Sequence, residues 1–354
     1  MHSQSAAHAF LTQGTPVRFQ LFGQGNINST YKIETDSGHC YILQRINHHV
    51  FQDPVGLMEN VCAITDFLRQ QDPDPCHALH FLPTADGSFL YQDVDGGFWR
   101  MYDFIPGITL EKMESPGDFY RCGLGFGAFQ TQLAHFPAHT LRETIPGFHN
   151  TPNRFRQLHR AIQLDAAGRA QDVQAEIDFL LAQEQFAGTL QRQLEAGKLP
   201  LRVTHNDTKL SNILFDEAGN PLCVLDLDTV MPGLSAMDFA DAIRSGAATA
   251  AEDEPDTTKM ALDLTLFRSF ATGFLQSATG LTTAELDALP LAPAIITLEQ
   301  AARFLADYLD GDVYYRISFP THNLVRARAQ IKLAADMLSK MREMENIISE
   351  LRNQ

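Results

Sequence analysis

The segment VTHNDTKLSNILFDEAGNPLCVLDLDTV, residues 203–230, contains the polar residues most suited to chemistry. Asp207 and Asn212 are five positions apart, and Asp226 follows fourteen residues later, directly after the apolar run CVL. Burying an unpaired carboxylate costs several kcal/mol, so a metal ion, a substrate or a partner residue must compensate it. Phosphoryl transfer needs one carboxylate to accept a hydroxyl proton, and a carboxamide and second carboxylate to hold Mg²⁺. The spacing therefore predicts Asp207 as the proton acceptor and Asn212 and Asp226 as metal ligands.

Other interpretations of these polar residues stay open at this point. Asn212 and Asp226 can instead cap the turns of a β-hairpin, because Asx side chains readily bond local backbone. Asp228 lies two residues after Asp226, so in a strand both side chains point to the same face. Asp228 is then either an auxiliary contact to the metal or substrate, or a solvated neighbour. His205 is assigned a structural role and no proton transfer, because a lone histidine is more often structural than chemical.

A nucleotide site needs a phosphate-binding loop between two strands, and FGQGNINSTYKIE, residues 22–34, offers one. Gly25 permits a tight turn, while Asn28, Ser29 and Thr30 present N–H and hydroxyl donors. The segment lacks full GxGxxG spacing, so an ordinary hairpin is the alternative. A GxxxxGK[ST] motif is absent, which excludes P-loop nucleotide hydrolases.

These residues lie on two regions of different pattern. The first hundred residues alternate like strands, with one helical stretch at residues 54–71. After the turn signal IPGITL the pattern is mostly helical, returns to β character near residues 200–230, and ends in one long helix from residue 322. The pattern predicts an α+β fold with a β-rich domain at residues 1–105 and a helical domain at residues 106–354, an organisation compatible with a ligand between two lobes.

The motif H-N-D-x-x-x-x-N followed by V-L-D resembles the catalytic and metal loops of the kinase-like aminoglycoside phosphotransferase family. The resemblance implies a protein-kinase-like fold of two lobes, with ATP as co-substrate, Mg²⁺ as cofactor and adenine against the connector at residues 101–107. Several longer blocks are similar to the bacterial N-acetylhexosamine 1-kinases, which are anomeric sugar kinases: GNINSTYKI, YILQRIN, VFQDPVGLMEN, HNDTKLSNILFD, VLDLDTVMPGLSAMDFADAIR and RFLADYLDGDVYYRI.

In kinase-like enzymes the third strand usually carries a lysine that binds the α- and β-phosphates. Here YILQRIN has Arg45 near that position, and the following helix offers Glu59 as its ion-pair partner. Arginine is a planar bidentate fork and not a point charge, so its geometry would differ from that of lysine. A surface arginine and a surface glutamate are the alternative.

The resemblance implies transfer of the γ-phosphate of ATP to the C1 hydroxyl of N-acetylglucosamine or N-acetylgalactosamine. Asp207 would orient and deprotonate that hydroxyl, and Thr229, Arg303 and Tyr314 would contact the sugar. An ion pair of Arg303 with a carboxylate at i±4 is the alternative for that residue. Asp238 and Arg244 are expected to brace the catalytic loop and not to touch substrate.

Two other functions remain possible from the sequence. One is a kinase of another small hydroxyl acceptor, of the homoserine, choline or aminoglycoside type. The chain has a single Trp, which disfavours choline, because proteins bind a quaternary ammonium group in an aromatic cage. The other is a nucleotide-binding scaffold without turnover. A protein kinase is disfavoured, because the segment after VLDLD is too short for an activation segment.

Composition limits the partners. The 354 residues are 44% hydrophobic and carry a formal net charge of −16, which disfavours nonspecific binding to nucleic acid or to anionic membrane. The sequence shows neither a signal peptide nor a transmembrane run, and its five scattered cysteines are expected to be reduced thiols. A cytoplasmic protein that binds ATP and a small sugar is the expectation.

Overall fold

A computed structural model describes residues 2–22, 28–110 and 112–353. The chain forms two compact units, which we call the sheet unit and the helical unit. The sheet unit contains Met1–Thr109, His135–Pro146 and Ile213–Pro232. The helical unit contains Leu110–Ala134, Gly147–Asn212 and Gly233–Gln354. Across the described residues, no helix has the length and apolar character needed to cross a membrane.

The helices of the described residues are α1 (His2–Ala7), α2 (Pro54–Gln71), α3 (Pro116–Gln132), α4 (Thr151–Leu164), α5 (Gln174–Ala187), α6 (Thr189–Glu195), α7 (Ser235–Gly246), α8 (Leu264–Ser277), α9 (Thr283–Ala288), α10 (Ala292–Leu309), α11 (His322–Ser339) and α12 (Met341–Arg352). The strands are β1 (Pro16–Leu21), β2 (Ser29–Thr35), β3 (Cys40–Ile46), β4 (Tyr91–Gln92), β5 (Phe98–Asp103), β6 (Arg202–Thr204), β7 (Ile213–Phe215), β8 (Pro221–Val224) and β9 (Met231–Gly233).

The sheet unit is built on five strands in the order β1-β2-β3-β5-β4, with antiparallel pairs. Successive side chains point to opposite faces of a strand. On one face Tyr41, Leu43, Trp99 and Met101 are buried in a core that also includes residues of α1. On the other face Arg100 contacts Met58 of α2, so α2 covers this second face.

Helix α2 was predicted correctly at residues 54–71. Asp53 caps it by accepting a hydrogen bond from the N–H of Gly56, and Pro54 occupies the first turn, where its missing N–H costs nothing. Its apolar side, which includes Leu57, Val61 and Ile64, is buried. These signals are local in sequence, which explains the agreement.

The predicted division at residue 105 makes the β-rich domain one continuous stretch of chain. In the structure, the sheet unit instead comprises three separate stretches. The backbone of Ile108 exchanges two hydrogen bonds with Phe215, and Gly107 approaches Leu214 so closely that a Cβ would lie 2.6 Å from its Cγ. These contacts attach the connector to the β7–β8 hairpin. The hairpin, which we had assigned to the second domain, therefore groups with the sheet.

The helical unit packs around α10, which is buried along nearly its whole length and contacts α4, α5, α7 and α11. Helices α3 and α8 cross closely, because a Cβ on Gly273 would lie 2.0 Å from the carbonyl oxygen of Tyr120. The single long C-terminal helix that we predicted is wrong. It is interrupted at Lys340, whose ammonium donates to the carbonyl of Leu262 and to Asp336, dividing it into α11 and α12.

Candidate active site

The loop that carries Asp207 is held by a buried carboxylate on α7. Asp238 accepts hydrogen bonds from the backbone N–H groups of His205 and Asn206 at 2.8 and 2.7 Å, and from the Gln130 side chain at 2.6 Å. Burial raises the pKa of Asp238, although the His205 ring and these hydrogen bonds act in the opposite direction. The predicted bracing role of Asp238 is confirmed.

Arg244 contacts the Asp207 loop through a second residue, Asp241. It pairs with Asp241 at 2.9 Å, and Asp241 accepts the backbone N–H of Thr208 at 3.1 Å. Burial alone would raise the pKa of Asp241, but Arg244 and other nearby cationic groups hold it below its usual range. Arg244 therefore braces the loop indirectly, which agrees with the expectation.

Asp207 and Asn212 lie in direct contact. The Asn212 side-chain amide donates to the backbone carbonyl of Asp207 at 2.8 Å and to its carboxylate Oδ2 at 3.3 Å. The Asp207 side chain is 23% exposed, so a hydroxyl group can reach it. With Nδ2 committed to Asp207, the amide oxygen of Asn212 is the atom that a cation would use.

Lys209 is a site residue that the sequence analysis missed. Its ammonium lies 2.8 Å from Oδ2 of Asp207 and is half exposed. The spacing D-x-K-x-x-N was visible in the sequence, but a lone lysine on a loop resembles a solvated surface charge. Its position gives the candidate proton acceptor a cation that could also face a phosphate group.

His205 has the structural role that the sequence suggested. Its ring is fully buried and lies edge-on to Phe126 and Phe129, with centroids 5.5 and 6.0 Å away. The backbone N–H of Asp207 donates to its Nδ1 at 3.3 Å. His205 therefore orients the Asp207 backbone and packs the loop on α3.

Asp226 lies in the sheet unit at the end of the β7–β8 hairpin. It is exposed and adopts a left-handed conformation, with φ of 55°, before the 3₁₀ turn Leu227–Thr229. Such a backbone is uncommon for a non-glycine residue and often occurs at functional sites. Thr229 is half-buried at the end of this turn, and its contact with substrate stays a prediction.

Asp228 is neither a solvated neighbour nor an open metal ligand. It is 2% exposed, lies 2.5 Å from Nη1 of Arg100, and accepts a hydrogen bond from the side-chain amide of Asn28 at 2.6 Å. Asn28 in turn accepts the backbone N–H of Asn47 at 3.0 Å. Both carboxylate oxygens of Asp228 thus face protein groups.

The remaining phosphate-loop residues are less informative. Gly25 lies outside the described residues. Ser29 is exposed at the start of β2, and Thr30 accepts a hydrogen bond from the Gln44 side chain at 3.1 Å. Their predicted contacts with nucleotide phosphates remain predictions.

The predicted ion pair between Arg45 and Glu59 is wrong. Arg45 is exposed and lies 5.9 Å from the Trp99 ring, on the sheet face opposite α2, whereas Glu59 pairs with Arg142 at 2.6 Å. The polar β3 residue on the α2 face is Gln44, whose side-chain oxygen accepts from Nε and Nη2 of Arg100 at 2.9 and 2.8 Å. The cation on this face is therefore Arg100, which the sequence analysis did not select.

In the helical unit, Arg303 lies among aromatic rings. Its guanidinium carbon is 5.7 Å from the Phe148 ring and 5.6 Å from the Tyr315 ring. Tyr314 packs edge-on against Tyr315 at 4.8 Å and is 68% exposed. The carboxylates four residues before and after Arg303, those of Glu299 and Asp307, bond other groups and do not pair with it. The Arg303 guanidinium instead donates a hydrogen bond to the side chain of Gln300.

Asp307 fixes the backbone that presents the two tyrosines. Its carboxylate accepts hydrogen bonds from three successive N–H groups, those of Val313, Tyr314 and Tyr315, at 3.0, 2.7 and 2.9 Å. The Asn323 side chain donates to the same carboxylate at 2.8 Å. This buried carboxylate therefore determines where Tyr314 lies.

A second arginine beside this cluster was not predicted. Arg154 bonds the backbone carbonyl of Phe148 at 2.9 Å, while its buried Nε has no partner among the described residues. Burial, and then the positive charge of Arg303, lower the pKa of Arg154. The aromatic cluster thus carries two guanidinium groups, which favours a neutral or anionic ligand over a cationic one.

His149 links this cluster to the Asp207 loop. Its Nδ1 lies 3.0 Å from the buried carboxylate of Glu299, and its Nε2 lies 3.5 Å from the carbonyl oxygen of Asn206. Thr151 donates to the second oxygen of Glu299 at 2.6 Å. Burial would raise the pKa of Glu299, but His149 and Thr151 hold it below its usual range.

This lowered pKa predicts an acid-sensitive contribution to stability. Between the folded pKa and the unfolded value of about 4.3, the unfolded chain binds one proton more than the native protein, so the free energy of unfolding rises with pH by at most ~1.4 kcal/mol per unit. The contribution is present above that window and is lost as the pH falls through it. Glu299→Gln should flatten the slope of denaturant-derived free energies between about pH 6 and pH 3.

The matched control for this prediction is Glu184→Gln. Glu184 also pairs with a histidine, His159, at 3.0 Å, but both side chains are at least one-third exposed. An exposed pair contributes little, so the control should keep the wild-type slope. Equal slopes for Glu299→Gln and wild type would contradict the prediction.

The sheet unit, the helical unit and the loops described above define the class of this protein. It has a protein-kinase-like α+β fold, and solved structures share it over most of their length. One is a microcompartment-associated aminopropanol kinase, with a TM-score of 0.66 and 19% sequence identity; the match covers 96% of this chain and 98% of that chain. Another is an amicoumacin kinase in complex with AMP-PNP and Ca²⁺, with a TM-score of 0.61 and 16% identity; the match covers 92% of this chain and 90% of that chain. An ethanolamine kinase from Plasmodium vivax is also similar, with a TM-score of 0.55 and 15% identity; the match covers 88% of this chain and 81% of that chain.

Residues 18–272 match the model of the phosphotransferase enzyme family, APH, and the chain belongs to this family. Membership in this family makes the protein a phosphotransferase.

Proposed function

We propose that the protein transfers the γ-phosphate of ATP to the C1 hydroxyl of an N-acetylhexosamine. The observation that carries the proposal is the partly exposed Asp207 carboxylate, fixed by Asn212 and Lys209 on a loop that Asp238 braces. In this function Asp207 accepts a hydrogen bond from the acceptor hydroxyl, orients its oxygen toward the γ-phosphorus and takes its proton.

The magnesium ion of this proposal would arrive bound to ATP. Within the part of the chain that the structure describes, no group of three or more His, Cys, Asp or Glu residues could hold a metal. Mg²⁺ commonly takes only one or two protein ligands and completes its shell with water and phosphate. Asn212, through its amide oxygen, and Asp226, through its exposed carboxylate, would hold it, and the bound ion would neutralise charge on the phosphate oxygens.

The acceptor is proposed from the helical unit. Tyr314 and Phe148 offer aromatic surface for a pyranose ring, and Arg303 offers guanidinium donors for the acetamido carbonyl or a hydroxyl. The sequence blocks that resemble N-acetylhexosamine 1-kinases include Arg303, Tyr314 and Thr229. Arg154 and Arg303 disfavour an amino alcohol, whose ammonium group would face two guanidinium groups.

The test is an acceptor panel with purified protein and Mg-ATP. N-acetylglucosamine and N-acetylgalactosamine are compared with glucose, homoserine, choline, ethanolamine and an aminoglycoside, with ADP release as the measurement. We expect release only with the N-acetylhexosamines, and ³¹P NMR of the product should place the phosphate on C1.

The matched control is the methyl glycoside of N-acetylglucosamine, in which C1 carries no free hydroxyl. ADP release with this glycoside would contradict transfer to C1. Release with an amino alcohol alone would favour the rival acceptor class, and no release with any acceptor would favour a nucleotide-binding scaffold.

A further inference from the structure

A buried cation lies on the α2 face of the sheet unit. Arg100 lies in the middle of β5 and is 2% exposed, and its guanidinium contacts the side chains of Gln44, Met58 and Asp228. Nε and Nη2 donate to the side-chain oxygen Oε1 of Gln44, while Nη1 lies 3.9 Å from the sulfur of Met58 and 2.5 Å from Asp228. A charge this deep in the protein needs a carboxylate partner, because desolvation otherwise costs several kcal/mol.

Asp228 is that partner. Burial by itself would lower the pKa of Arg100, but Asp228, and more weakly Asp226, raise it above its ordinary value. Among the described residues, no other carboxylate lies within ion-pair distance of Arg100. The pair joins the middle of the sheet to the turn that carries Asp226.

The same carboxylate joins a third segment. Asn28 donates to Asp228 across 200 positions of sequence, and its own oxygen accepts the N–H of Asn47 just after β3. Arg100, Asp228 and Asn28 therefore connect β5, the Leu227–Thr229 turn and the residue that precedes β2. The left-handed backbone of Asp226 is the kind of conformation that persists only when its surroundings determine it.

We propose that Arg100 is a positioning residue of the phosphoryl-transfer site: through Asp228 it fixes the turn that presents Asp226, and through Asn28 it fixes the end of the loop before β2. The inference rests on the proposed function, in which Asp226 is a metal ligand. Arg100 contacts neither substrate nor ion in this role; it restricts the turn, so that Asp226 binds the ion without first being ordered.

The first experiment removes the pair as a unit. Arg100→Met alone leaves Asp228 buried and unpaired and can fail to fold, so the decisive variant is Arg100→Met with Asp228→Asn, which leaves no buried charge. Calorimetry measures ADP binding with and without Mg²⁺, and hydrogen exchange follows residues 222–231. We expect about 10- to 100-fold weaker magnesium-dependent binding, unchanged magnesium-free binding and faster exchange in the turn.

The second experiment restores the cation from the neighbouring strand. The side-chain oxygen Oε1 of Gln44 lies 2.8 Å from Nη2 of Arg100, so Gln44→Lys combined with Arg100→Met is designed to place an ammonium group beside Asp228. We expect this double variant to recover most of the magnesium-dependent ADP binding and the slow exchange of the turn. Arg18→Met, which removes an exposed arginine of β1 paired with Glu34, is the control and should match wild type.

Two results would overturn the inference. One is wild-type Mg-ADP binding and exchange in the folded Arg100→Met, Asp228→Asn protein. The other is a folded Gln44→Lys, Arg100→Met protein that binds Mg-ADP no better than the first double variant. Both measurements use binding and not turnover, so a failed acceptor panel would refute the proposed reaction without deciding the role of Arg100.

Discussion

Asp207→Asn should lower kcat with the preferred acceptor by about 10²- to 10⁴-fold, because asparagine cannot take the proton of the attacking hydroxyl. The fold should survive, since the Asn212 amide still donates to the backbone carbonyl of residue 207 and Asp238 still holds the loop. Nucleotide affinity should stay within about threefold of wild type, because the proposed role of Asp207 is on the acceptor hydroxyl and not on the nucleotide. ADP-release kinetics and calorimetry with ADP measure the two quantities.

The matched control is Asp178→Asn. Asp178 is exposed on α5, and among the described residues its side chain bonds only that of Gln174. The same chemical change should therefore leave kcat and nucleotide affinity at wild-type values. Wild-type kcat in the Asp207→Asn protein would remove Asp207 from the mechanism. Loss of ADP binding in that variant would instead mean that Asp207 contributes to the nucleotide site.

Asp238→Ala is expected to reduce the free energy of unfolding by about 3–5 kcal/mol, because two buried backbone N–H groups and an amide lose their acceptor. The N–H groups belong to His205 and Asn206, immediately before the candidate proton acceptor. The remaining folded protein should also have a lower kcat, because the position of Asp207 depends on that backbone. Denaturant unfolding and kinetics corrected for the folded fraction separate the two effects.

Asp118→Ala is the matched control for this prediction. Asp118 is also buried and accepts two backbone N–H groups, those of Glu114 and Ser115, but at the start of α3. It should lose stability and keep the kcat of wild type in its folded fraction. If Asp238→Ala lost stability with an unchanged kcat, Asp238 would support the fold and not the site.

The sequence by itself predicted the parts of the site whose cause is local. Asp207 and Asn212 are five residues apart on one loop, so their contact needs little beyond the loop itself. Helix α2 follows from a capping aspartate, a first-turn proline and a helical apolar period, all within the same short segment. The membership in the phosphotransferase family confirms the class that the motif predicted.

The faces of β3 were decided by tertiary structure. The run YILQRI is apolar on both sides, so it shows no alternation that would reveal which polar residue points to α2. A shift of one residue exchanges the faces, which is why Arg45 was placed beside Glu59 although Gln44 occupies that side. Strand periodicity carries this information only where one face is polar.

Long-range pairing was likewise invisible in the sequence. Arg100 has its partner Asp228 in a distant segment, and contacts of the connector with Leu214 and Phe215 attach the β7–β8 hairpin to the sheet unit. Spacing rules describe neighbours along the chain, whereas a buried ion pair depends on which segments the fold brings together. The sequence alone therefore determined which residues of the 203–230 segment are candidates for chemistry. Only the tertiary structure decided which cation lies beside the turn that carries Asp226, because burial creates that pairing and no local pattern encodes it.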